Sequence, residues 1–129
     1  MTTILVLGSN FGGMTSAFEL HRKLGARARI VVVSRQSEFV YVPSLIWVPF
    51  GRRSVKDITF SAEDTFRKGG IEFVHDEATR INAETSTVRL ASGRDIPYDF
   101  LIIATSAELV WDSVPGLGPS RFTDQSPPF

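Results

Sequence analysis

The chain has 129 residues, 43% of them hydrophobic and 22% charged, which suits one globular domain with a real core. Lys plus Arg (14) equals Asp plus Glu (14), so no net field selects nucleic acid or an acidic membrane. The absence of cysteine excludes a disulfide scaffold, cysteine-ligated zinc and thiol chemistry within these residues.

Residues 2–7 (TTILVL) form a nearly continuous apolar run with β-branched members, the pattern of a strand buried on both faces. Gly8, Ser9, Asn10, Phe11, Gly12 and Gly13 follow at once, and residues 14–24 then read as a helix. Strand, glycine turn and helix together are the context of a phosphate-binding turn, in which free N–H groups at the helix start face an anionic pyrophosphate. Read as G-x-G-x-x-G, the turn carries Asn10 where the second glycine stands, with Gly8 and Gly13 at the outer positions. Asparagine tolerates left-handed backbone angles, and its amide can donate to a phosphate. A turn of this kind also serves simply to join a strand to a helix.

In the helix, Ala17, Leu20 and Leu24 make an apolar stripe, while Glu19, Arg22 and Lys23 face water and Gly25 caps the end. Residues 29–33 (RIVVV) give a second buried strand and complete a right-handed βαβ unit. A dinucleotide fold places an Asp or Glu for the adenosine ribose at the end of that strand, where this chain has Ser34 and Arg35. Serine can bond a ribose hydroxyl. Arg35 suits a 2′-phosphate or stacking on adenine, or is a solvated loop residue. His21 and His75 lack ligand spacing and predict no metal site.

Residues 39–50 (FVYVPSLIWVPF) are almost all apolar, yet Pro43 and Pro49 exclude a long helix or a central strand. The expectation is an apolar loop that covers a flat surface such as a cofactor ring, a neighbouring domain or a membrane face. Left uncovered, this loop is expected to drive self-association or become disordered. Residues 61–68 carry a helix signature with Ser61 as N-cap and Asp64 three residues on, stopped by Gly69 and Gly70. Residues 71–74 (IEFV) predict a further parallel strand, with His75 on the surface. Three short strands over residues 78–81, 87–91 and 94–97 predict a small antiparallel meander with a hairpin turn at Ser92-Gly93. Residues 99–105 (DFLIIAT) predict a last buried parallel strand whose end lies beside the glycine turn. The fold class is therefore α/β: a Rossmann-like dinucleotide-binding domain with a parallel sheet, helices and an antiparallel β-meander. The domain spans residues 1–110, and the Pro- and Gly-rich residues 111–129 form a linker or tail. No signal peptide and no transmembrane run appears, which places the chain in the cytoplasm or peripherally at a membrane.

The order of these pieces resembles the N-terminal FAD-binding portion of pyridine nucleotide–disulfide oxidoreductase-type flavoproteins. Within them it is closest to sulfide:quinone oxidoreductases and type II NADH dehydrogenases. The resemblance rests on residues 6–14 (VLGSNFGGM), 39–48 (FVYVPSLIWV), 68–77 (KGGIEFVHDE), 94–106 (RDIPYDFLIIATS) and 114–117 (VPGL). It implies FAD as cofactor, with Gly8, Asn10, Phe11 and Gly12 at the pyrophosphate and Ser34 and Arg35 at the adenosine ribose. It further implies Pro43 beside the cofactor towards the flavin, and Ala78 offering backbone groups to adenine. Ala104, Thr105 and Ser106 match the family's Ala-Thr-Gly, which closes over the cofactor. Asn10 and Ser106 both replace glycines, and the ribose carboxylate is absent.

The resemblance also implies quinone as a partner, sulfide or NADH as electron donor, no nucleic acid, and membrane association through a C-terminal part beyond these residues. A second nucleotide-binding domain and the family's cysteines are missing here, one of them near Gln125-Ser126, where this chain has Pro128. The expectation is that the 129 residues bind cofactor without turnover, and no catalytic residue is named. The alternative is a degenerate stand-alone module that binds NAD(P) or an ADP-like ligand without catalysis.

Overall fold

The first strand, β1 (Thr2–Leu7), sits inside a four-stranded parallel sheet of order β5-β2-β1-β9. Its neighbours are β2 (Ala28–Ser34) and β9 (Phe100–Ile103), and β5 (Glu72–His75) pairs with β2 in parallel. The computed structural model describes residues 1–107, 110 and 113–115. The expected tail over 111–129, including Gln125, Ser126 and Pro128, therefore lies outside the described residues apart from 113–115.

Alternation along β1 and β2 explains their continuous apolar sequence. Ile4, Val6, Ile30 and Val32 face one side, where α1 (Phe11–Leu24) and α2 (Ala62–Lys68) bury Ala17, Ala62 and Phe66 against them. Leu5, Leu7, Val31 and Val33 face the other side, covered by Val88, Leu90 and Ile96. Those last residues belong to the expected meander, formed by β6 (Ala78–Asn82), β7 (Thr87–Leu90) and β8 (Asp95–Pro97). Phe66 stacks between Phe18 and Phe73, with ring centroids 5.5 and 5.6 Å apart. The helix stripe is as expected: Ala17 is buried, and Leu20 and Leu24 pack on the same cluster.

Three expectations need correction. Helix α1 begins at Phe11 rather than at residue 14, because Asn10 is already extended (φ −75°, ψ −170°) and its carbonyl accepts from Met14 N–H at 2.8 Å. Gly12 and Gly13 thus belong to the first turn. Residues 39–50 are not one loop: β3 (Glu38–Val40) pairs antiparallel with β4 (Thr59–Ser61), and Val42–Trp47 winds into a 3₁₀ helix. Pro43 fits there because a helix start needs no N–H from it. The last strand is an edge strand, not a buried one, with Phe100 63% and Ile103 62% exposed. Its register is held by Asp99, whose Oδ2 accepts from Thr3 N–H at 2.7 Å while its own N–H donates to the Thr3 carbonyl at 2.9 Å.

The N-cap of α2 is as expected, with Ser61 Oγ accepting from Asp64 N–H at 3.0 Å. A full reciprocal capping box forms instead one turn earlier, where Ser54 and Asp57 cap the 3₁₀ turn Val55–Ile58. Among the described residues, no helix is long and apolar enough to cross a membrane.

A candidate dinucleotide-binding cleft

The carboxyl ends of β1, β2, β5 and β9 converge on a cleft of about 370 Å³. In open α/β sheets ligands bind where strand order reverses, and here the chain leaves β1 for β2 and β5 on one side and returns from the meander to β9 on the other. One wall is the glycine turn, with Gly8, Ser9 and Asn10; a second is the end of β2, with Ser34, Arg35 and Gln36. Asp76, Glu77 and Ala78 close it from the meander side, and Thr105, Ser106 and Ala107 from the exit of β9.

Two glycines are required by contact, and Gly8 by φ as well. A β-carbon on Gly8 (φ +100°) would stand 2.4 Å from the Ala104 carbonyl oxygen, and one on Gly13 would stand 2.0 Å from the Gly8 carbonyl oxygen. The turn, the helix and the exit of β9 are thereby packed backbone to backbone. Gly8 N–H donates to the Val33 carbonyl at 2.8 Å, and Ala104 N–H to the Leu7 carbonyl at 2.8 Å. The backbone N–H groups of Phe11, Gly12 and Gly13 open α1 with no intramolecular acceptor among the described residues. Such orphan donors at the positive end of a helix form an anion site.

Seven of the expected residues line the cleft: Gly8, Asn10, Ser34, Arg35, Ala78, Thr105 and Ser106. Gly12 and Ala104 are outside the lining but adjacent to it, and a β-carbon added to Gly12 would stand 3.8 Å from the Ala104 β-carbon. Phe11 turns away from the lining, and its ring packs edge-on to Phe39 and Tyr41 at 4.9 and 5.7 Å. Pro43 is exposed on the 3₁₀ helix and outside the lining. The structure thus gathers the phosphate and adenosine positions into one cleft and leaves the flavin-side position outside it.

Ser34, at the end of β2, is also tied into the glycine turn. It is 9% exposed, and its Oγ accepts from Ser9 Oγ at 2.9 Å and from Gln36 N–H at 3.1 Å. The hydroxyl ties the glycine turn to the end of β2 and keeps only its proton for an outside acceptor. Arg35 is exposed at the rim, and its carbonyl lies 2.9 Å from His75 Nε2.

Sequence reasoning missed Ser9, Gln36, Asp76 and Glu77. The two carboxylates directly follow β5, and that position at a strand's carboxyl end was the available signal. Bonds from the Ser92 hydroxyl and the Glu77 N–H hold the Asp76 carboxyl below the usual carboxylate range. Asp76 N–H in turn donates to the Ser34 carbonyl at 3.1 Å, fixing the meander against β2. The meander end of the cleft therefore offers carboxylates that accept from sugar hydroxyls or an amino group. The opposite end offers helix N–H groups that suit phosphate.

A parallel sheet with a glycine turn, a helix opening onto a cleft and a covering meander define a dinucleotide-binding domain of three layers, helices, sheet and meander. Residues 2–126 match the pyridine nucleotide-disulphide oxidoreductase family, and the chain belongs to it. Sulfide:quinone oxidoreductases and their relatives in this family are FAD-binding flavoproteins. The chain is 33% identical over 117 residues to the mitochondrial sulfide:quinone oxidoreductase of Dictyostelium discoideum, covering 91% of this chain and 26% of that one. It is 30% identical to an alternative NAD(P)H-ubiquinone oxidoreductase of Arabidopsis thaliana, covering 88% and 25%. The solved sulfide:quinone oxidoreductase of Aquifex aeolicus superposes with a TM-score of 0.80 at 31% identity, over 86% of this chain and 26% of that one. The chain thus spans about a quarter of the length of the relatives it matches.

Proposed function

We propose that this chain is the FAD-binding portion of a flavin-dependent oxidoreductase that passes electrons from sulfide or NADH through FAD to a quinone. The observation that carries the reading is the cleft, with open helix donors at one end and carboxylates at the other. FAD, when bound, supplies the redox chemistry, and the protein supplies position and electrostatics. The N–H groups of Phe11, Gly12 and Gly13 would face the pyrophosphate. Arg35, Gln36 and the backbone of Ala78 would border the adenosine, and Thr105 and Ser106 would close over the cofactor. No residue of this chain acts as acid, base or nucleophile in this account. In this reading residues 1–110 are the cofactor domain. The donor and acceptor are drawn from the names of the relatives, as is a peripheral position at a membrane where quinone dissolves.

A second reading, a module that binds NAD(P) or an ADP-like ligand without catalysis, is favoured by one observation. The side chains of Asn10 and Ser106, both replacing glycines, meet across the phosphate end of the cleft. Calorimetric titration of the chain with FAD, ADP and NADP⁺ separates the two. FAD binding tighter than ADP supports the flavoprotein; binding of ADP or NADP⁺ without FAD supports the module. For the electron path, the native flavoprotein isolated from its own cells is mixed anaerobically with sulfide or NADH. Bleaching of the flavin band, reversed by added quinone, is the expected result, and no bleaching with either donor overturns the assignment.

A further inference from the structure

Asn10 occupies the N-cap of α1, a position where asparagine ordinarily turns its side-chain oxygen back to accept from the N–H groups of the first turn. Here it makes no such cap bond. Its Nδ2 donates instead to Ser106 Oγ, a residue 96 positions away at the exit of β9. The consequence is chemical. An asparagine folded onto its own helix would compete with a phosphate for the donors of Gly12 and Gly13. An asparagine drawn to Ser106 leaves those donors open, with its second amide hydrogen and the Ser106 hydroxyl hydrogen still free to donate.

We propose that Ser106 is a positioning residue for the phosphate end of the cleft: it holds Asn10 off the N-terminus of α1 and so keeps the helix from capping itself. The two departures from glycine compensate each other. A glycine at residue 10 has no side chain to restrain, and an asparagine there needs an acceptor on the opposite wall. The inference deepens the reading of the cleft as the FAD site and rests on it.

Ser106→Ala removes the acceptor without changing the backbone. Asn10 then caps α1, so FAD affinity falls while thermal stability rises. A capping bond is worth roughly 1 kcal/mol, which corresponds to about a fivefold loss of affinity. Asn10→Ala and Asn10→Ala/Ser106→Ala complete a double-mutant cycle. In the Asn10→Ala background, Ser106→Ala should leave both affinity and melting temperature nearly unchanged, since no cap can form.

The measurements are FAD titration and melting temperature for all four proteins. Equal losses of affinity from Ser106→Ala with and without Asn10 would overturn the proposal, as would tighter FAD binding in Ser106→Ala, which would mean that the bond obstructs the cleft. If the wild type takes up no FAD, the flavoprotein reading fails. The melting temperatures still decide the positioning role, because the stability gain from Ser106→Ala must depend on Asn10.

Discussion

Gly8 and Ala104 meet backbone to backbone: a β-carbon on Gly8 would stand 2.4 Å from the Ala104 carbonyl oxygen. This contact joins the glycine turn after β1 to the exit of β9, and it sets the width of the cleft at its phosphate end. Gly8 also adopts φ +100°, a conformation costly for any residue with a side chain. Gly8→Ala is expected to cost about 2 kcal/mol or more, from strained φ and from displaced backbone together. It should also abolish cofactor uptake, because relief requires β9 to move away. A variant with wild-type melting temperature and undiminished FAD binding would show that this contact does not shape the site.

Phe66 carries the helix-side core. It is fully buried and stacked between Phe18 and Phe73, so truncation leaves a cavity lined by two rings and the sheet. Phe66→Ala should destabilise by about 3–5 kcal/mol, read from denaturant unfolding with an unchanged m-value. A loss under roughly 1 kcal/mol would mean that the neighbouring rings collapse into the space.

Asp76 gives the fold an acid-sensitive tie. Its carboxyl is held below the ordinary value by the Ser92 hydroxyl and the Glu77 N–H, so the charged form is favoured in the folded state. The stability it contributes is complete above the ordinary carboxylate value and is lost as pH falls through the lowered one. The difference in melting temperature between wild type and Asp76→Asn should therefore be constant from about pH 7 to pH 5 and shrink below about pH 4. A difference that grows on acidification would contradict the assignment.

The segment after β3 exposes a run of large apolar side chains, with Phe50 74% and Ile46 64% exposed, and among the described residues β9 has no strand on its outer edge. Expressed as these 129 residues, the chain should self-associate through this surface. Ile46→Lys/Phe50→Lys should shift sedimentation towards the monomer. A wild-type chain that sediments as a monomer at every concentration would count against it.

Much of this was legible in the residues, and the boundary between legible and hidden has physical causes. Continuous β-branched runs marked β1 and β2 because both their faces are covered, and turn residues between short strands, Ser92-Gly93 above all, marked the meander. The glycine turn located the cleft through backbone requirements, which are local. What stayed hidden depended on long-range partners. The edge position of β9 follows from sheet order, which its apolar sequence does not reveal. The bonds that Ser34 Oγ accepts from Ser9 and Gln36 join residues from two elements and could not be read from the strand end alone. The bond between Asn10 and Ser106 joins two positions that looked like independent losses of glycine. Asp76 and Glu77 enter the cleft because β5 pairs with β2 and ends beside Ser34, a pairing that the residues after β5 do not announce.

The central claim is that this cleft holds FAD. The most direct measurement is the absorption spectrum of the purified chain after incubation with FAD and gel filtration. The account predicts a flavin band that co-elutes with the protein and is lost in Gly8→Ala. A folded protein, judged by circular dichroism, that elutes colourless and takes up no FAD at any concentration would contradict it.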